Sequence, residues 1–231
     1  MTHQPQQAHA TLVFDFDGTV ALGDGPVRAY AQEAARLADT EVATAFLDAL
    51  DAEWAAPRAT ALDRYDLVRL LAAERGIDAE LLSRGYLASR RSLATAEAPV
   101  TAPDGLAELL ADAARRGARL ALATNAPGTR IPEALAALGL GGSFHEVHTG
   151  VGKPRGLDPL LDGWLAQGPV LGVGDVWSND LAPVAARGGT TILVSPDGDA
   201  PAAAAPDHLV ARLEDAYPLI LAWLERAARL S

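Results

Sequence analysis

The sequence predicts an α/β protein: a doubly wound parallel sheet covered by helices on both faces, with a wholly helical segment inserted after the first strand. Three observations carry this. Short apolar runs of strand length alternate with helix-like segments through most of the chain, as in parallel sheets whose strands are buried on both sides. From about residue 21 to residue 97 the alternation stops and no convincing strand appears. The main apolar runs also end in polar residues, the placement expected where ligands sit beyond the carboxyl ends of parallel strands.

Taken in order, "TLVFD" at 11–15 has the β-branched and aromatic content of a short buried strand ending at Asp15. The insert then reads as helices near 26–38, 41–55, 62–75 and 78–95, separated by "DT", "PRAT" and "GID". Leu67, Leu70 and Leu71, followed by Leu81 and Leu82, supply apolar stripes at helical spacing. The alternation resumes with a helix over 103–116, the strand "RLALAT" at 119–124, a helix over 130–138 and a weaker strand "FHEVH" at 144–148. A helix over 156–166, the strand "PVLGVG" at 169–174, a helix over 180–187 and the strand "TTILV" at 190–194 complete the main rhythm. "GDAPAAAAP" at 198–206 is a low-complexity loop, "HLV" at 208–210 an edge strand, and 213–229 the last helix. The expected domains are a core of residues 1–20 with 98–231 and a helical domain of residues 21–97.

Composition narrows the function. The 231 residues are 49% hydrophobic, ample for a buried core. There are 30 acidic against 19 basic residues and no basic block, so the chain lacks the electrostatic footprint of a nucleic-acid binder. Absence of cysteine removes disulfides and thiolate chemistry. The polar start "MTHQPQQAHA" has no apolar signal core and no later run is long enough to span a bilayer, so a cytoplasmic protein without a membrane partner is expected. An acidic chain that handles an anion needs a local cation. Lys153 is the only lysine, the other 18 basic residues being arginines, and lysine brings a compact point charge where arginine brings a wide planar fork.

The polar strand ends supply the candidate site: Asp15 with Asp17, Thr124 with Asn125, Lys153, and Asp175 with Asn179 and Asp180. In "FDFDGT" two carboxylates two residues apart leave the strand toward one side, and Gly18 permits a sharp departure of the backbone, although Asp–Gly is also a common turn pair. "GDVWSND" repeats the design, with an acid directly after a strand and another five positions later. Two acidic strand ends facing each other repel unless a hard cation lies between them, and oxygen ligands suit magnesium. Thr124 offers a hydroxyl and nearby amides to a phosphoryl oxygen, or is a plain strand end. "GKPRG" lacks the glycine spacing of a P-loop, and "GVGD" lacks the third glycine of a dinucleotide fingerprint.

With these residues in this order the chain resembles the haloacid dehalogenase superfamily of phosphohydrolases. "DFDGT" looks like its first motif, "LAT" ending at Thr124 its second, Lys153 in "GKP" its third and "GDVWSND" its fourth. The insert between the first two motifs resembles the helical cap of the subgroup related to phosphoglycolate phosphatase and β-phosphoglucomutase. The resemblance implies a Rossmann-like core and a phosphatase for a small phosphorylated metabolite. Asp15 would be the nucleophile that forms an aspartyl-phosphate, and Asp17 the general acid and base. Magnesium would be held by Asp15, Asp175 and the main-chain carbonyl of Asp17. Gly18, Thr124, Asn125 and Lys153 would meet the phosphoryl group. Asn179 would support the site, and Asp180 would orient Lys153 or a metal-bound water. Family members that cleave carbon–halogen bonds do not carry Asp at the position of Asp17, because a leaving halide needs no proton. A sugar phosphomutase retains the same residues, and a non-catalytic phosphate-binding protein is a third reading, against which Asp17 weighs.

Other candidates are weaker. His145 and His148, three apart on a strand, point to opposite faces and are expected to be surface histidines. His3 and His9 lie in the N-terminal tail. Arg58, Arg64, Arg90 and Arg91, with Trp54, could meet the distal part of a substrate from the insert, but a solvated face, or packing for Trp54, is the commoner role. Trp177 could line the same opening. The insert carries 13 acidic and 9 basic side chains, which speaks against a large polyanionic substrate. A monomer and a homodimer are equally compatible with the sequence.

Overall fold

The computed structural model describes residues 10–229, so His3 and His9 lie outside the described residues. Among the described residues six strands form one parallel sheet: β1 (Thr11–Phe14), β2 (Arg119–Ala123), β3 (Glu146–His148), β4 (Val170–Gly174), β5 (Thr190–Val194) and β6 (His208–Val210), in the order β3-β2-β1-β4-β5-β6. Every residue of β1 and β4 is buried, which is why these runs read as continuously apolar rather than alternating. From β1 the chain winds outward through β2 and β3, then crosses back to β4 and winds the other way. The reversal puts the topological switch point between β1 and β4, beyond whose carboxyl ends open parallel sheets place their ligands.

Register determines which residues reach that edge. Phe14 pairs with Leu122 on one side and Val173 on the other, Ala123 with His148, and Gly174 with Leu193. Asp15, Thr124 and Asp175 are each the first residue past a strand and so emerge on one rim. Below the rim Val13, Ala121, Ala123 and Val170 pack against Leu157, Leu161, Trp164 and Val184. This apolar layer fixes the strand ends.

Among the described residues nine α-helices accompany the sheet: α1 (Gly25–Arg36), α2 (Thr40–Glu53), α3 (Arg64–Glu74), α4 (Ala79–Ser89), α5 (Leu106–Arg115), α6 (Ile131–Ala137), α7 (Asp158–Leu165), α8 (Ala182–Ala185) and α9 (Leu213–Ala228). Gly23–Thr101 with Thr129–Ala134 form one compact unit, and the rest of the described chain forms the other. The helical unit has its own core, in which Phe46, Leu67, Val68 and Leu71 are fully buried. Asp63 and Asp78 start α3 and α4 by accepting from the amides of Asp66 at 2.7 Å and Leu81 at 2.8 Å, which caps otherwise unsatisfied donors.

Several boundaries differ from the sequence expectation, each for a local reason. The last helix of the insert ends at Ser89, a 3₁₀ turn follows over Arg90–Ser92, and Ala94 then takes φ 58° and turns the chain. The helix expected from 103 starts at Leu106, because Gly105 adopts φ 74° at its N-cap. In place of one helix over 156–166, a 3₁₀ turn at Arg155–Leu157 leads into α7, with Pro159 in its first turn. A π-turn, Trp177–Leu181, precedes α8, and β3 is reduced to three residues.

Candidate active site

The site is built on the three strand ends and the loop after β3. Asp15 is 9% exposed, and its amide donates to Val173 O at 2.9 Å, so the residue continues the β1–β4 pairing before the chain turns away. The turn is made by Gly18, whose amide donates to Ala21 O and whose φ is 87°. A Cβ on Gly18 would overlap the Asp175 carboxylate, so glycine here allows the β1 loop to lie directly against the end of β4.

Lys153 reaches into this cluster with a side chain only 3% exposed, and its ammonium donates to Asp15 Oδ1 and to Asp180 Oδ1, each at 2.5 Å. Asp180 comes from the π-turn after β4. Its second oxygen accepts from the Val176 amide at 3.0 Å, which fixes the carboxylate in place. A Cβ on Gly174 would lie 2.5 Å from Asp180 Cβ, so the glycine that ends β4 makes room for that carboxylate. Carboxylate oxygens of Asp15, Asp175 and Asp180 all lie within 4.8 Å of one another. Asp17 is half-buried and its carboxylate is not part of this group.

Three grouped carboxylates and one ammonium, which meets two of them, leave the cluster short of positive charge. Burial first, then the Asp180 charge, push the Asp15 carboxyl up to about 7 against the pull of Lys153. The Lys153 pKa is raised as well: burial alone would disfavour its charge, but Asp15 and Asp180 outweigh burial and hold its pKa above the ordinary value. The two shifts fit one picture, in which a single cation is shared by two carboxylates and is stabilised by both while Asp15 remains under-compensated. All-oxygen donors with this charge deficit fit a hard divalent cation.

Thr124 is 2% exposed and its Oγ1 accepts from the Ala126 amide at 3.0 Å, which leaves the hydroxyl proton free to donate elsewhere. Asn125 turns its carboxamide to the main chain of Lys153, accepting from Lys153 N at 2.6 Å and donating to Lys153 O at 3.4 Å. Asn179 and Trp177 lie in the π-turn, both half-buried. Gly174 and the Val176 amide shape the candidate site by seating Asp180, which the sequence alone does not reveal. The only signal for the first was a glycine closing a strand immediately before an acid, and a backbone donor leaves no signal at all.

Several of the secondary candidates have local partners. Arg58 is pinned between Glu53 and Glu74, joining the end of α2 to α3. Trp54 donates to Asp24 Oδ2 at 3.1 Å and carries the guanidinium of Arg28 3.9 Å and that of Arg64 5.3 Å from its ring centre. Arg90 is 1% exposed and donates to the Tyr65 hydroxyl at 3.3 Å, while Arg91 is exposed. His145 Nδ1 accepts from the Leu120 amide at 3.0 Å and His148 pairs with Glu146 at 3.0 Å, so each histidine has a local structural partner.

A family model described as haloacid dehalogenase-like hydrolase matches residues 9–184. No functionally curated protein matches the chain. Among solved structures it is similar to a phosphatase of that family from Thermococcus onnurineus, with 19% identity, 91% of this chain and 97% of that one covered, and a TM-score of 0.57. It is similar to a putative hydrolase of the family from Bacillus subtilis, bound to magnesium, with 19% identity, coverage of 93% and 100%, and a TM-score of 0.59. It is also similar to the L-2-haloacid dehalogenase from Xanthobacter autotrophicus, with 20% identity, coverage of 91% and 98%, and a TM-score of 0.53. At these identities the structures share the fold, and the fold serves both chemistries.

Proposed function

The chain belongs to the haloacid dehalogenase-like hydrolase family, and from that membership we propose that it is a magnesium-dependent phosphatase that cleaves the phosphate monoester of a small metabolite through an aspartyl-phosphate on Asp15. One observation carries the reading: a buried Asp15 bonded to Lys153 is followed two residues later by a carboxylate, Asp17, that stays outside the acidic group. Carbon–halogen cleavage expels a halide and needs no acid. Ester cleavage expels an alkoxide and does, so Asp17 suits the ester.

Asp15 attacks phosphorus in its ionised form, and the new O–P bond forms as the bond to the leaving oxygen breaks. Asp17 gives its proton to that oxygen. Water then attacks phosphorus, Asp17 takes a proton from it, and the bond between phosphorus and Asp15 breaks to release inorganic phosphate. The Lys153 ammonium and the free proton of the Thr124 hydroxyl are donors for the phosphoryl oxygens. Asp15, Asp175 and the main-chain carbonyl of Asp17 would hold magnesium, which supplies the positive charge that lets an anionic nucleophile approach an anionic ester. Asp180 keeps the ammonium aimed at Asp15. The acidic balance of the helical segment favours a small substrate over a polyanion.

Phosphate release from p-nitrophenyl phosphate tests the reading. Turnover should require magnesium, vanish in EDTA and vanish in Asp15→Asn. Asp17→Asn should slow an alkyl phosphate more than the aryl one, whose leaving group needs less help from an acid. Chloride release from 2-chloropropionate without any phosphate release from a metabolite panel would overturn it.

A further inference from the structure

The loops that follow β2 and β3 are joined beyond the last strand pair, Ala123 with His148. Thr124 N donates to His148 O at 2.9 Å, Val151 N to Thr124 O at 3.0 Å and Gly150 N to Ala126 O at 2.7 Å. This ladder stops short of Lys153, whose N–H meets no main-chain carbonyl among the described residues. The Asn125 side chain takes over there. Its carbonyl accepts from Lys153 N at 2.6 Å and its amino group donates to Lys153 O at 3.4 Å, so both ends of the carboxamide engage one residue's main chain. Lys153 is therefore held at both ends, its main chain by Asn125 and its ammonium by Asp15 and Asp180.

The stem between those ends has four rotatable bonds and cannot by itself fix where the ammonium lies. Where the Cα is held decides whether the head reaches two carboxylates at once or only one. We propose that Asn125 is a positioning residue: its carboxamide sets the main chain of Lys153 so that the ammonium bridges Asp15 and Asp180, and it acts on the reaction through Lys153 rather than by touching the phosphoryl group. This replaces the phosphate contact expected for Asn125 from the sequence. The kinetic part of the proposal rests on the phosphatase reading above; the positioning part does not.

Lys153 is the only lysine, so protein grown on lysine labelled at Cε and Nζ shows a single lysine side-chain resonance. In wild type that ammonium signal should be sharp and slow to exchange with solvent, as expected for a buried, doubly bonded group. Asn125→Ala should speed its exchange at least about tenfold, because a freed main chain lets one of the two bonds open. Asn125→Asp, which keeps the acceptor for Lys153 N, should restore most of the protection and serves as the second variant if the alanine protein folds poorly. With p-nitrophenyl phosphate and magnesium, Asn125→Ala should lower kcat roughly 10- to 100-fold with little change in KM, the pattern of a transition-state contribution lost through a displaced donor. An unchanged lysine signal in Asn125→Ala overturns the proposal. So does a raised KM with unchanged kcat, which would mean that Asn125 binds the phosphoryl group directly. A protected lysine that loosens as expected in a protein without phosphatase activity would leave the positioning role standing and remove the phosphatase reading.

Discussion

Replacing Lys153 with methionine keeps the length of the side chain and removes its charge, leaving Asp15 and Asp180 facing each other without a cation. The three side chains are 3%, 10% and 6% exposed, and each of the two bonds lost is 2.5 Å long. Stranding the partner of a buried charge costs about 3–5 kcal/mol. At roughly 2–4 °C per kcal/mol for a chain of this size, the metal-free variant should melt about 6–20 °C lower near pH 8. The loss should shrink near pH 5. There Asp15, pushed up to about 7, is already protonated, so the lysine balances only Asp180. Thermal unfolding followed by circular dichroism in EDTA at both pH values, with the same pair repeated in magnesium, is the assay. A divalent ion should recover part of the loss. A melting temperature within about 2 °C of wild type near pH 8, or an equal drop at both pH values, would show that the buried charge cluster does not exist as described.

The remaining predictions concern the same cluster. Lys153→Arg retains the charge but must fit a planar fork where one ammonium meets two carboxylates, so turnover should fall roughly 100-fold while the melting temperature falls less than in the methionine variant. The Asp15 carboxyl is raised in the folded state, so the folded protein binds more protons than the unfolded one between the ordinary value, near 4, and about 7; metal-free stability should fall as pH rises through that window, and Asp15→Asn should flatten the slope in urea titrations. By the same protonation, magnesium binding near pH 6 should release up to about 0.9 proton and near pH 9 almost none, measured by calorimetry in buffers of different ionisation enthalpy. Gly174→Ala drives a methyl group to within 2.5 Å of Asp180 Cβ and should cost about 1–3 kcal/mol by displacing that carboxylate, with a matching loss of protection at Lys153.

Where the sequence was legible, the reason is physical. β1, β4 and β5 were readable because buried parallel strands are continuous apolar runs, and each ends sharply at the first polar residue past the sheet. The fully buried Leu67 and Leu71 of α3 were readable from helical spacing. Helix ends were less so. The π-turn at Trp177–Leu181 arises where the chain leaves β4 and has no residue pattern of its own, yet it places Asp180 beside Lys153. The polar residues of the site could be picked out as strand ends, but sequence order cannot reveal that the Asn125 carboxamide turns to the main chain of Lys153.

The sequence by itself determined the alternation of strands and helices, the helical insert and the chemical types at the rim, since periodicity and apolar runs are local properties of the chain. Only the tertiary structure decided that the partners of Lys153 are Asp15, 138 residues away, and Asp180, 27 residues away, and that Asn125 holds its main chain. Those pairings depend on strand order and on the reversal between β1 and β4, and on Gly18 and Gly174 allowing two acidic loops to approach. Burial then raises the proton affinity of one carboxylate without changing its identity.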